Sequence, residues 1–458
     1  MTKKFIGDLT KDLLSRSWSI ITGVVVILLI VDSIITSLPS YDLQSHQSLS
    51  VHLLFGAELS FCALCQMFYL NIIKRKYTDK PTIGYFRRYA DITYFVALIA
   101  QCAIICLLFV TLVEIEISSK YHMAIILICV LLSLCLSIGI SSLLAFRFIM
   151  WLRIKVDYLI VAYTAAAALI TINSIFVAIF ISLEVQGKPT IIDTSFFWTN
   201  TQIINYDIHQ IQSNILLASF FSLWIASIFL LRRQRSAWRT FKFYIVVLIP
   251  LLYYLGFLQL PISDVLIQHR LVNTVGIYTF NVVNAILSRP VGGALFGIAF
   301  WIIARSIPDK NISDYMKIAA IGMMLLSMSN VDAGLYLLPY PPFGVVTLTF
   351  VGISSYMLFV GIYYSSISVS MNAELRKSIE KSVKEEIRFI SEIGRSQVQR
   401  EIQGRVKRVT KRSAKMLEEN SGVEAPLQEE DIEEYINLVL REKERFTDTN
   451  TNKEGAST

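Results

Sequence analysis

The sequence is short of charge. Asp, Glu, Lys and Arg make up 17% of its 458 residues, against about 25% in soluble domains. Cysteine is sparse too, with six residues. Those at 62, 65, 102, 106, 129 and 135 all fall within long apolar runs, so no disulfide framework is expected. The catalytic motifs G-x-x-x-x-G-K-[ST], H-E-x-x-H, G-x-S-x-G and H-R-D are missing. These absences argue against a cytosolic enzyme, a secreted disulfide scaffold and a disordered chain. Neither a catalytic residue nor a cofactor is expected.

Apolar sequence is abundant. The set AVILMFWYC supplies 54% of the chain and the mean hydropathy is +0.55. The apolar residues come in blocks long enough to cross a bilayer, for which roughly 20 residues are needed. The expected fold is therefore all-α, a polytopic transmembrane bundle. Ten spans are read, at 18–38, 51–73, 92–113, 123–146, 158–183, 211–231, 243–260, 274–304, 315–331 and 345–368. The first run is too long for the apolar part of a signal peptide, and no small-residue cleavage site follows it. The regions expected are a cytoplasmic N-terminus (1–17), the ten-span domain (18–370), a basic juxtamembrane helix (371–419), a linker with an acidic helix (420–446) and a disordered end (447–458).

Lysine and arginine in the short loops give the orientation. With the N-terminus inside, 21 basic residues lie in inside segments and three, Lys120, Lys188 and Arg270, lie outside. Both termini are expected in the cytoplasm, and the membrane is expected to be the cell membrane. The net charge of +7 is accounted for by this asymmetry and does not call for nucleic acid.

Three charges fall inside the spans: Asp32, Glu58 and Arg289. Such charges are costly and are functional candidates by default. Asp32 and Glu58 fall at similar depth, near the outer ends of consecutive spans. They can share a proton, bracket a cation, pair with Arg289, or sit separately near the headgroups. Span eight carries a polar stripe of Asn281, Asn284 and Ser288, then Arg289-Pro290 and Gly292-Gly293. Proline bends a helix and paired glycines admit another backbone. A broken helix with polar residues is used at transporter sites, and it is also how a tightly packed interior helix looks.

All five histidines fall on the expected outer face. His52, His122, His209 and His269 are metal candidates by residue type alone, because no pair has the spacing of a metal motif. On the other side of the membrane, apolar residues of the tail recur from Leu375 to Val409 at close to the helical period. The run from Glu374 to Lys415 holds 13 basic and 6 acidic residues, and the rest of the tail holds 4 and 12. Anionic lipid, a second copy through a coiled coil, and a cytoplasmic protein are the partners this tail suits.

A polytopic body followed by a cytoplasmic helix resembles the input half of membrane histidine kinases. The tail of 88 residues contains no histidine, so the kinase half of that resemblance has no counterpart. The run ELRKSIEKSVKEEIRFISEIGRSQVQREIQ, residues 374–403, resembles uncharacterised multi-span membrane proteins of ammonia-oxidising archaea. This second resemblance implies no activity. The leading expectation is a non-enzymatic sensor or scaffold coupling an outward polar surface to the tail. The alternative is a secondary transporter or channel with its site near the broken eighth span.

Overall fold

The structure is a computed structural model. It describes residues 20–32, 34–35, 49–78, 84–154, 156–185, 190–193, 206–232, 292–307, 309–329, 341–371 and 388–421, with four single positions between 244 and 283. The described chain is almost entirely helical. In order it contains α1 (Ile20–Asp32), α2 (Leu49–Thr78), α3 (Gly84–Ser118), β1 (Lys120–His122), α4 (Met123–Ile154), α5 (Tyr158–Glu184), β2 (Ile191–Asp193), α6 (Tyr206–Arg232), α7 (Gly292–Ser306), α8 (Lys310–Met328), α9 (Val345–Met371) and α10 (Arg388–Ser421). Among these, α2, α3, α4, α5, α6 and α9 are long and apolar enough to cross a membrane. All but three positions of the span expected at 243–260, and the break at Arg289-Pro290, lie outside the described residues.

Helix ends are set by short polar side chains. Asp157 caps α5 by accepting from the Leu159 backbone N–H, and Asp309 caps α8 by accepting from Asn311 and Ile312. Gly344, with a φ of 90°, turns the chain into α9, a conformation glycine adopts without the Cβ clash.

The bundle is organised around α9, whose membrane-length segment is buried throughout. It packs on α8 and α4, and α7 packs on α8. Small residues allow the close crossings. A Cβ on Gly361 would lie 2.6 Å from Ala319 Cβ, and one on Gly322 would lie 2.6 Å from the Leu358 backbone nitrogen. Gly292 and Gly293 are buried at the start of α7, and Gly293 abuts the Ser327 backbone. Gly297, one turn further, meets Ala320 and Met324. In this part of span eight the glycines therefore serve packing.

The two ends of the bundle differ. At one, the hairpin end, β1 and β2 pair antiparallel with Tyr121 opposite Ile192, and both side chains are buried. At the other, the tail end, Lys76 pairs with Asp314 at 2.5 Å, the Tyr315 hydroxyl donates to the Lys76 carbonyl, and Arg147 lies 4.9 Å over the Tyr363 ring. The tail helix α10 docks here. Gly394 faces Val369, Ile393, Ser396 and Gln397 are buried, and Trp151 Nε1 donates to Gln397 Oε1 at 3.2 Å.

Candidate functional site

Two carboxyl groups are buried near the hairpin end of α9. Asp32 closes α1 and is 1% exposed; Glu58 is 4% exposed, on the face of α2 that also buries Phe55, Leu59, Cys62 and Gln66. The spacing from Glu58 to Cys62 to Gln66 is four residues each time, which places the three in one row along a helix. Phe55, about one turn before Glu58 on α2, meets the Phe343 ring edge to face at 5.3 Å.

The two carboxyl groups are held differently. Asp32 Oδ1 accepts from the Gly344 backbone N–H at 2.7 Å, and Oδ2 accepts from the Thr347 hydroxyl. Asp32 thus serves as an N-terminal cap for α9, supplied by a neighbouring helix. It satisfies an N–H that helix geometry leaves without an internal partner, and it lies where the helix macrodipole favours negative charge. Glu58 has no such setting. Neither Oε1 nor Oε2 has a hydrogen-bond partner among the described residues. Among the described residues, the charge that acts on Glu58 is that of Asp32, which repels it.

A polar track continues from Glu58 toward the tail end. Gln66 Nε2 donates to Thr349 Oγ1 at 2.8 Å, Gln101 Nε2 donates to Gln66 Oε1 at 2.6 Å, and the Tyr69 hydroxyl donates to Thr22 Oγ1 at 3.2 Å. A small cavity lined by Cys62, Gln66 and Thr349 together with Leu59, Ala63 and Val346 lies beside this track. At about 1.5 Å per residue, the eleven residues from Glu58 to Tyr69 span about 16 Å.

The second polar arrangement lies deeper, between α4, α5 and α9. Ser137 and Ser355 share a hydrogen bond at 2.7 Å, Ser141 donates to the Ser137 carbonyl, and Thr171 donates to Ser141. The Ser133 hydroxyl donates to the Leu348 carbonyl and accepts from the Gly352 N–H. It thus fastens one turn of α9 to α4 through both a carbonyl and an N–H of that turn. Ser141 and Ser355 also line an otherwise apolar cavity with Phe148, Tyr163, Met323 and Leu358.

Of the sequence-predicted site residues, the structure brings Asp32 and Glu58 into one buried region. Asn281, Asn284, Ser288, Arg289, Pro290 and His269 lie outside the described residues. The histidines at the hairpin end pair with carboxylates of α3: His122 Nδ1 is 2.9 Å from Glu114 Oε1, and His52 Nδ1 is 3.7 Å from Glu116 Oε1. His209 lies on α6. No group of three or more His, Cys, Asp or Glu suited to a metal forms among the described residues. Cys62 and Cys65 are both free thiols.

Sequence reasoning passed over Gly344, Thr347, Thr349, Gln66 and Gln101. The spacing of Glu58, Cys62, Gln66 and Tyr69 is the local signal that identifies a polar helix face. Nothing local couples that face to residues nearly 300 positions away on α9. Searches against protein-family models, curated proteins and solved structures match nothing to this chain.

Proposed function

We propose that this chain is a non-enzymatic membrane sensor or scaffold in which α9 couples the hairpin end to the cytoplasmic tail helix. The proposed topology has ten spans in the cell membrane, both termini in the cytoplasm and the hairpin end outside. The observation that carries the reading is the double engagement of α9. Its first turn holds Asp32 through Gly344 and Thr347, and its last turn lies under Gly394 of α10. A helix buried along its length transmits displacement, because close-packed interiors have low compressibility. The Ser133 hydroxyl, bonded to the Leu348 carbonyl and the Gly352 N–H, ties α9 to α4 between those two ends.

Hydrogen exchange on the full chain in lipid nanodiscs tests this. Asp32→Asn weakens the cap on α9 while keeping side-chain volume. Exchange should then rise at 345–349 and also at 393–400, across the bundle. A rise confined to 345–349 would remove the coupling. Topology is tested separately: a reporter active only in cytoplasm should be active after Gln234 and Asn420, and silent after Ser45 and Gly187.

A second reading, a secondary transporter or channel, is favoured by one observation, the buried Glu58 carboxyl without a hydrogen-bond partner among the described residues. Solute uptake by proteoliposomes under an imposed gradient separates it from a sensor.

A further inference from the structure

We propose that Glu58 and Asp32 form a binding site for one monovalent cation, taken up as a proton or as a sodium ion. The inference goes beyond the coupling reading and does not rest on it, since a bound cation can be sensed, carried or purely structural.

The stoichiometry follows from a charge count. Two carboxyl groups are buried in one region. One of them, Asp32, is matched by the Gly344 N–H and the Thr347 hydroxyl at the positive end of α9. The other, Glu58, has two buried oxygens with no hydrogen-bond partner among the described residues, and the Asp32 charge repels it. An ionised carboxylate in a water-poor interior is too costly to leave unmatched. One positive charge remains to be supplied. Among the described residues, the titratable groups that interact with Glu58 are Asp32 from α1 and Cys62 one turn along α2; the α9 residues bonded to this region, Thr347 on Asp32 and Thr349 on Gln66, are neutral.

The donor set points the same way. Glu58, Asp32 and Thr347 offer oxygen, which suits hard cations. Calcium takes about six to eight oxygen ligands, and magnesium keeps near-octahedral geometry with several waters. This side-chain set is too small for the first, and the edge-to-face Phe55 and Phe343 rings beside it leave a poor setting for the hydrated second. A proton needs one carboxyl oxygen, and sodium needs a few oxygens and one net charge.

The test uses the full chain purified into neutral nanodiscs. Thermal unfolding is followed from pH 5.5 to 8.5 with choline as the salt cation, then at pH 8.5 as sodium replaces choline at constant ionic strength. A cation held by the folded state alone raises the midpoint by mass action. For a proton, stabilisation is full at low pH and is lost as pH rises. The expected result is an upward shift of several degrees with falling pH, with rising sodium, or with both. Glu58→Gln, nearly isosteric and uncharged, should abolish the shift; Glu58→Asp, the second variant, should keep it at higher sodium or lower pH. Infrared difference spectra assign the source. A protonated-carboxyl C=O band present without sodium and absent in Glu58→Gln identifies the proton, and its loss on adding sodium identifies sodium at the same place. Three outcomes overturn the proposal: no shift with either cation, an equal shift in Glu58→Gln, or a shift with divalent cations alone. A fourth does so as well. If Arg289→Ala shows a cation response that the unmodified chain lacks, the chain supplies the positive charge itself.

Discussion

The helices α9 and α3 are both long apolar segments, and they are used in opposite ways. Within membrane-length windows, α9 is buried throughout and α3 is 28% buried. The more apolar of the two, α3, is the peripheral one. It exposes Ile92, Phe95, Val96, Ile99, Phe109, Val110, Val113 and Ile117, and turns Ala97, Gln101, Ile104, Leu108, Thr111 and Ile115 inward. The inward set recurs at steps of three and four, the period of one helical face. The central helix instead carries Thr347, Thr349, Ser354, Ser355, Ser365, Ser366 and Ser370 buried along its length. In a bilayer, helices gain little by hiding apolar side chains from apolar lipid. Close packing and interhelical hydrogen bonds decide which helix goes to the centre. The small and polar helix is inside, and the greasy one faces out.

That contrast breaks first at the glycines. Gly361→Leu puts a side chain where a Cβ alone would sit 2.6 Å from Ala319 Cβ and the Tyr315 carbonyl oxygen. Overpacking costs about 1–3 kcal/mol and occasionally more, so Gly361→Leu should lower the unfolding midpoint sharply or prevent folding. Gly139, on α4, has nothing within 4 Å of its added Cβ. Gly139→Ala should be neutral or gain up to about 1 kcal/mol from helix propensity. Equal losses at the two sites in a detergent thermal-shift assay would show that the close crossings of α9 do not hold the bundle together.

Next in size is the cap on α9. Asp32→Ala leaves the buried Gly344 N–H without its acceptor, at a cost of about 1–3 kcal/mol. Thr347→Val should cost less, because Asp32 keeps the Gly344 bond. A double-mutant cycle on thermal stability measures the Asp32–Thr347 coupling, and strictly additive losses would dissolve the cap.

A smaller effect is expected where α10 meets the tail end. Trp151→Phe keeps the ring packing on Phe148 but removes the bond to Gln397, worth about 1 kcal/mol. The readout is faster hydrogen exchange at 393–400 with little change at 123–140. The smallest effect belongs to the far half of α10, where Val409 and Met416 are exposed. Val409→Ser should change stability by less than about 0.5 kcal/mol. The same half should gain exchange protection in anionic over neutral nanodiscs and lose that gain as salt rises. Equal protection in both lipids would leave the apolar stripe, without the Arg408 and Arg412 side, as its only membrane contact.

Much of the fold was legible because the bilayer imposes a length and a composition on each helix. The helices α2, α3, α4, α5, α6 and α9 overlap expected spans at 51–73, 92–113, 123–146, 158–183, 211–231 and 345–368. Asp32 and Glu58 stood out because carboxyl groups are rare in such runs. Their partners did not, since Thr347 and Gln66 are ordinary residues in a span and glycine before a helix is common. Of the stripe read along the tail from Leu375 to Val409, the part from Arg388 onward lies on α10 and the earlier part lies outside the described residues; its period did not show which residues make contact. The docked face is Ile393, Gly394, Ser396 and Gln397, and Val409 on the stripe is 63% exposed.

The sequence by itself determined the solvent of this protein and the class of its elements: long apolar runs separated by short basic loops can satisfy their backbone groups in a bilayer only as helices. The tertiary structure decided which helix is central, that Asp32 closes the first turn of α9, and that Glu58 lies in the same buried region without a hydrogen-bond partner among the described residues. The reason is range. Hydropathy and charge are properties of neighbours in the chain, whereas a cap, a glycine crossing and an unmatched carboxyl group are properties of residues that meet only when helices hundreds of positions apart are packed together.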